Sequence, residues 1–482
     1  MKQAYQAQWH ASREVATRLV VTGTLVLTSP AHLGNGDRGA HVDLPILRDT
    51  LEDLPLLQGS SLAGALRNYL LAYEQGFQQP EVRGAKRMGL AELLFGGVKG
   101  DSEGEQSPLI IDDALADFTL AEIRDGVRID GKTRTAQNDF KYDLEVLPPG
   151  THFPLRFELL LPEEGDQATK LRASLALALD GLQRGEIALG ARKSRGYGRC
   201  AVATWQVVEY DLRHSHEDLL AWLSAEHPDW GYQPAQVHNS LGVHAQREDK
   251  RKIFRIAATF ELATPLLIRS AEPLNDGDHQ PDVVHLRDGT GQPIISGTSL
   301  AGVLRARAKR ILTTVAAGQE EAILNSLFGR DMHKRSANEQ PSASRLIVHE
   351  AQIAGGRTLV QNRVAIDRFT GGAYDTALFS EAPQVGGTVT LTLSIHNPSD
   401  ADKGLLLLLL KDLWTGDLPI GGTSSVGRGR LRGCKATIHD TGQPERKIVS
   451  DEGQLKLPTE ARTVFESYVV ALQKAKERSS EA

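Results

Sequence analysis

Cysteine is nearly absent: the 482 residues include only Cys200 and Cys434, with no CxxC spacing. That excludes a disulfide framework and a thiolate zinc or redox motif, and makes a reducing, cytoplasmic setting the simplest expectation. Long apolar runs are missing too. Leu405 to Leu410 is the longest, against the ~20 residues a bilayer-spanning helix needs. The opening stretch MKQAYQAQWHASRE has no apolar segment of the secretion type, so no membrane partner is expected. Nor is there an excess of positive charge. Lys and Arg number 55 against 61 Asp and Glu, a net charge of −6. The whole-molecule field therefore offers phosphate no general attraction, and any nucleic-acid contact must come from local basic loops. What is present is 40% apolar side chains on a chain long enough, at roughly 150 residues per domain, for at least two cores.

The chain repeats itself once. Gly59-Ser60-Ser61-Leu62-Ala63-Gly64-Ala65-Leu66-Arg67 returns, at an offset of 238 residues, as Gly297-Thr298-Ser299-Leu300-Ala301-Gly302-Val303-Leu304-Arg305. Upstream, Asp43 and Leu47-Arg48-Asp49 match Asp282 and Leu286-Arg287-Asp288. Downstream, Phe95-Gly96 matches Phe328-Gly329, Leu109-Ile110-Ile111 matches Leu346-Ile347-Val348, and Val127-Arg128-Ile129-Asp130 matches Val364-Ala365-Ile366-Asp367. A glycine-rich stretch, residues 190–199, then matches residues 421–430, and the order never breaks. Such self-similarity divides the chain into a domain at 1–212, a connector at 213–251, a second domain at 252–440 and a tail at 441–482.

Each copy opens with an alternating apolar run, Leu19 to Leu27 or Phe254 to Leu262, which predicts a half-buried strand. A long loop leads to a helix whose start carries Gly-Ser-Ser or Gly-Thr-Ser, from which an N-cap hydroxyl is expected. Further strands, a second helix near Leu171 to Leu182 or Leu405 to Leu413, and a last strand after the glycine-rich loop complete a βαββαβ order. The fold class is therefore α+β, two tandem ferredoxin-like domains. In the tail, Val464, Tyr468 and Leu472 stand at helical spacing.

Several motifs compete for the chemistry. Gly34-Asn35-Gly36-Asp37-Arg38-Gly39 fits GxGxxG, but Pro45 follows before any helix can begin, which argues against a pyrophosphate cradle. The second glycine-rich loop occurs twice. Its first copy concentrates Arg192, Lys193, Arg195 and Arg199 around Ser194, suited to phosphate, whereas its second copy has Thr423, Ser424 and Ser425 and keeps Arg428 and Arg430. A tight connection into the final strand is the plainer alternative. Asp43 and Asp282 occupy matching loops in a chain without a duplicated Ser-His, His-Cys or HExxH set. A loop aspartate can orient a nucleophile or bind Mg²⁺, or simply shape a turn. The pair His214-Ser215-His216 could bind metal but lacks a third ligand at characteristic spacing, and both cysteines read as small buried residues.

Taken together, the loop Asp, the LPLLQGSSLAGALR stretch and the terminal GARKSRGYGR resemble the RAMP superfamily, and specifically the backbone subunits of type III CRISPR effector complexes. Two such domains in one chain resemble the fused double subunit of subtype III-D. The resemblance implies RRM-like domains with thumb hairpins and glycine-rich loops, a CRISPR guide RNA, a complementary target RNA and the other subunits of the complex as partners. It also implies endoribonuclease activity dependent on a divalent metal, Mg²⁺ in the first instance. It carries the family's cleaving aspartate onto Asp43 and Asp282, which would also be the metal ligands, and a first-loop histidine onto His32, opposite Leu267 or Ile268. RNA contacts are implied for Ser60, Ser61, Arg67, Thr298, Ser299 and Arg305 at the helix starts. They are implied also for Lys132, Thr133, Arg368 and Thr370 at thumbs following Ile129 and Ile366, and for the two glycine-rich loops. The lysine common in the family after GSSL is replaced here by Ala63 and Ala301. Two alternatives stand beside this reading: a scaffold that binds guide RNA without cutting, and a guide-processing ribonuclease using His32 or His41.

Overall fold

The structure, a computed structural model, describes residues 15–37, 39, 42–79, 89–97, 106–117, 120–130, 133, 135–163, 165–224, 241, 248–270, 281–330, 343–451 and 454–474. In the first half, β1 (Thr17–Leu27) places Leu19, Val21, Leu25 and Leu27 on the core side. The chain continues through α1 (Gly59–Gln75), α2 (Leu90–Phe95) and β2 (Leu109–Ile111) to a projecting hairpin, β3 (Glu122–Ile129) with β4 (Ala136–Val146). It ends with β5 (His152–Leu161), α3 (Asp166–Gln183) and β6 (Cys200–Asp211). The sheet order is β2-β5-β1-β6, with β1 antiparallel to both β5 and β6. That is the ferredoxin-like order expected of βαββαβ. A short helix, α4 (His216–Ser224), follows in the connector.

The second half repeats the plan with β7 (Ile253–Leu262), β8 (Val283–His285), α5 (Gly297–Val315), α6 (Glu320–Phe328), β9 (Leu346–Val348) and β10 (Ala351–Ala354). A second hairpin, β11 (Gln361–Ile366) with β12 (Ala373–Ala382), precedes β13 (Thr388–His396), α7 (Asp400–Trp414) and β14 (Leu431–Asp440). The sheet does not stop at Asp440. Strands β15 (Arg446–Asp451) and β16 (Gln454–Lys456) extend it from β14, and α8 (Thr459–Lys474) packs on α7. Ala461, Phe465, Tyr468 and Leu472 of α8 are buried, and the Tyr468 hydroxyl donates to Asp440 at 2.8 Å. The tail therefore contributes to the second core.

Two separate apolar cores result, one per half. They meet through specific contacts. Phe77 stacks on His396 at 4.7 Å between centroids, the Lys250 N–H donates to the Tyr73 carbonyl, and Arg251 pairs with Glu186 at 2.8 Å. Among the described residues no helix is long and apolar enough to cross a membrane.

The expected hydroxyl caps need correction. Gln58 is the N-cap of α1 and gives no side-chain cap; the Gly59 N–H instead donates to the Asp113 carboxylate at 2.7 Å. An anion from the turn after β2 thus serves the helix terminus. In α5 the cap is Ser296, just upstream of the motif, whose Oγ accepts from the Ser299 N–H. Cys434 is also less enclosed than expected, only half-buried, while Cys200 is fully buried.

Candidate nucleic-acid interface

Asp43 and Asp282 reach the surface by the same construction. Each loop runs beside the returning strand of its hairpin, through a parallel bridge Leu44↔Leu144 in one half and β8 pairing parallel with β12 in the other. The Asp143 N–H donates to Asp43 Oδ2 at 3.0 Å, and the Ser380 N–H donates to Asp282 Oδ2 at 2.7 Å. Both aspartates are exposed. Asp282 also accepts from the Ser380 hydroxyl at 3.1 Å. These donors, the backbone N–H foremost, hold its carboxyl below the usual range, so it stays ionised. The first half has a further feature that the sequence did not announce. Asp125 faces Asp143 across the hairpin, and burial plus a hydrogen bond with Asp143 push its carboxyl up. The facing pair in the second half is Asn362 and Ser380.

His32 does not lie open beside Asp43. It is only 6% exposed, its Nδ1 lies 2.8 Å from the Glu145 carbonyl, and its carbonyl accepts from the Ala191 N–H. The ring is thus a brace between the first loop and the hairpin strand. In the second half the Gly422 N–H bonds the Leu267 carbonyl, so Leu267 is the structural partner of His32. A buried histidine does occur nearby: His285 accepts from the Ile268 N–H at Nδ1 and lies 3.0 Å from the Ile294 carbonyl at Nε2. Glu145 and Glu381, which sequence inspection missed, organise the hairpin bases. Glu145 takes Arg48 at 2.6 Å and the Ile46 N–H, and Glu381 takes Arg428 at 2.8 Å and Arg363 at 3.2 Å.

The two glycine-rich loops have one backbone shape. Arg192 (φ 58°, ψ 27°) and Thr423 (φ 55°, ψ 33°) are left-handed, a single 3₁₀ turn follows, and Gly196 (φ 82°) and Gly427 (φ 86°) close it. Their surroundings differ. A Cβ on Gly196 would lie 2.8 Å from the Glu350 nitrogen and the His349 Cα, because this loop rests on the second half, while Gly427 has open space around it. The model of the RAMP superfamily matches residues 24–201 and again 259–432, each a span from first strand to last. The chain belongs to the RAMP superfamily. It is also similar to the CRISPR system Cms endoribonuclease Csm3 of Streptococcus thermophilus, at 27% identity over 212 residues that cover 40% of this chain and 93% of that protein.

Within the two RAMP domains the expected RNA contacts divide into exposed and committed side chains. Ser60, Ser61, Lys193, Arg368, Thr370 and Ser425 are exposed, as is Thr133, whose hydroxyl bonds Asp130. Ser194 and Ser424 are half-buried. Arg428 corrects expectation: it is 3% exposed, locked to Glu381 and to Gln361 at 2.7 Å, since a buried guanidinium requires a counter-charge. Thr423 points its hydroxyl to the Gly422 carbonyl. Arg67 and Arg305 donate to the carbonyls of Gly96 and Gly329 at 3.0 and 2.9 Å, each tying its helix to the matching Phe-Gly corner. Thr298 and Ser299 join the Ser296 cap. Arg192 lies over the Tyr142 ring at 4.7 Å and donates to its hydroxyl. Arg195 is half-buried with Nη1 enclosed, and its guanidinium is lowered by burial and by Arg305. Lys132 and His41 lie outside the described residues. Among the described residues no three His, Cys, Asp or Glu side chains are grouped to hold a metal. Any divalent ion would rest on one carboxylate plus RNA oxygens and water, a donor set that suits Mg²⁺.

Proposed function

We propose that this chain is a backbone subunit of a type III CRISPR ribonucleoprotein, of the fused double-domain kind found in subtype III-D, that holds a guide RNA and cleaves complementary target RNA in the cytoplasm. The observation that carries it is the duplicated anchoring of Asp43 and Asp282 on the returning strand of two matching hairpins in a RAMP chain. The name of the similar Streptococcus protein agrees with ribonuclease chemistry.

Cleavage follows from what the loops can do. A ribose 2′-oxygen attacks the adjacent phosphorus, the bond to the 5′-oxygen breaks, and a cyclic phosphate and a 5′-hydroxyl remain. DNA, lacking the 2′-hydroxyl, is spared. The 2′-proton leaves toward the Asp43 or Asp282 carboxylate, held in place by the Asp143 or Ser380 N–H, and a proton from water completes the leaving hydroxyl. A divalent ion bound by that same carboxylate would add charge stabilisation at the phosphate. His32 acts by holding the Asp43 loop, and its absence from the second half makes the Asp43 cut the faster of the two. The exposed helix starts and Lys193 supply sequence-independent guide contacts. Purification of the chain from its host with its associated subunits, followed by sequencing of bound RNA, tests the reading. Repeat-derived guides of defined length are expected; random RNA or none would overturn it.

A further inference from the structure

Among the described residues, an ion pair with both side chains buried joins the two halves where the first hairpin meets the second half. Arg124 on β3 donates from Nη1 to Glu350 Oε2 at 2.6 Å, with side chains only 6% and 8% exposed. The same guanidinium donates to Glu122 at 3.1 and 3.2 Å and lies 6.0 Å from the centre of the Tyr197 ring, which comes from the first glycine-rich loop. These carboxylates hold Arg124 protonated against its burial. Glu122 presses on the second half as well: its Oε1 is buried without a partner, and a Cβ on Gly289 would lie 2.3 Å from that atom. Gly289 adjoins Asp288, which is fastened to Gln352 at 2.7 Å and ends the segment that Asp282 begins. The base of the first hairpin is therefore seated on the loop that carries the second aspartate.

This joint is built once. The offset of 237 residues that relates Ile111 to Val348 and Val127 to Val364 places Gln361 at the position of Arg124 and Asp113 at that of Glu350. Gln361 serves Arg428, and Asp113 serves the Gly59 N–H. The repeat itself thus does not demand the pair.

We propose that Arg124 and Glu350 are positioning residues, which hold the first hairpin at a fixed distance from the Asp282 loop and so set the spacing between the two cuts. The spacing part rests on the ribonuclease reading; the positioning part does not. Nitroxide labels at Val127 and Thr290, both exposed, in a Cys434→Ser background report the distance directly. A narrow distribution is expected for the parent. R124Q and E350Q should each broaden it at least twofold, and the charge-swapped R124E/E350R should narrow it again, which separates loss of positioning from loss of folding. In the assembled complex with end-labelled complementary RNA, the single variants should spread the interval between Asp43- and Asp282-dependent products over neighbouring phosphates, while total cutting stays within about twofold. R124K, which keeps charge but not the forked geometry, should be intermediate. Unchanged distance distributions in both glutamine variants would overturn the positioning role. Unchanged product spacing alongside broadened distances would overturn the ruler role alone, and a parent complex that cuts no RNA would sink the ribonuclease reading and leave the distance result standing.

Discussion

Asp43 and Asp282 are ordinary loop aspartates in sequence, and what distinguishes them is the backbone N–H that each accepts from the hairpin behind it. The Ser380 hydroxyl adds a second donor in one half only. Removing it with Ser380→Ala should raise the Asp282 carboxyl toward the usual range, so the acid limb of second-site cleavage moves to higher pH while the Asp43 limb stays. A pH–rate profile of each product band checks this, and coincident shifts would contradict it. Arginines divide in the same way. Arg428→Ala leaves the buried Glu381 with Arg363 as its remaining cation and Gln361 without its partner, and should cost about 1.5–3 kcal/mol in a denaturant titration, with the salt dependence of guide binding unchanged. Lys193→Ala should leave stability alone and flatten that salt slope by about one unit. The sequence marked the cations of these loops as a group. It could not separate the solvated from the buried ones, because Glu381 and Gln361 come from another element.

At the scale of elements, duplication was the legible feature. It located the helices that begin at Gly59 and Gly297 and the paired glycine-rich loops, since each half solves the same packing problem with the same residues; the hairpins, which the resemblance put after Ile129 and Ile366, begin earlier, at Glu122 and Gln361. Local reasoning failed where a distant residue intervened: the α1 terminus takes Asp113 in place of a hydroxyl, and Arg67 and Arg305 close Phe-Gly corners. Short strands such as β15 and β16 carried too little periodicity to be read. The two loops supply an internal comparison. Gly196→Ala meets both a left-handed φ and the backbone at His349 and Glu350, whereas Gly427→Ala meets only the left-handed φ. The second should cost about 1 kcal/mol by thermal or chemical unfolding, and the first clearly more. Equal costs would contradict the contact between the first loop and the second half.

For the whole molecule, stability responds to acid through three histidines of the second half, of which His349 and His396 also lie against the first. His285 is pushed down to about 4 by burial, and so are His349 and His396, the last two further lowered by nearby Arg255. The unfolded chain binds a proton near pH 6.5 that the folded one refuses until about 4. Stability is therefore complete above pH 6.5 and falls through that window, by roughly 1.4 kcal/mol per pH unit for His285. Urea midpoints at pH 7.5 and 5 should show the drop, and His285→Gln should remove the His285 share of it while that of His349 and His396 stays. The central claim is that one polypeptide makes two distinct cuts in one target. The direct measurement is the product ladder of the assembled complex on end-labelled complementary RNA, with the parent, D43N, D282N and the double variant. Each single variant should remove one band, the double variant and a chelator both, with guide binding retained throughout; a parent ladder persisting in the double variant would leave a scaffold that binds RNA and does not cut it.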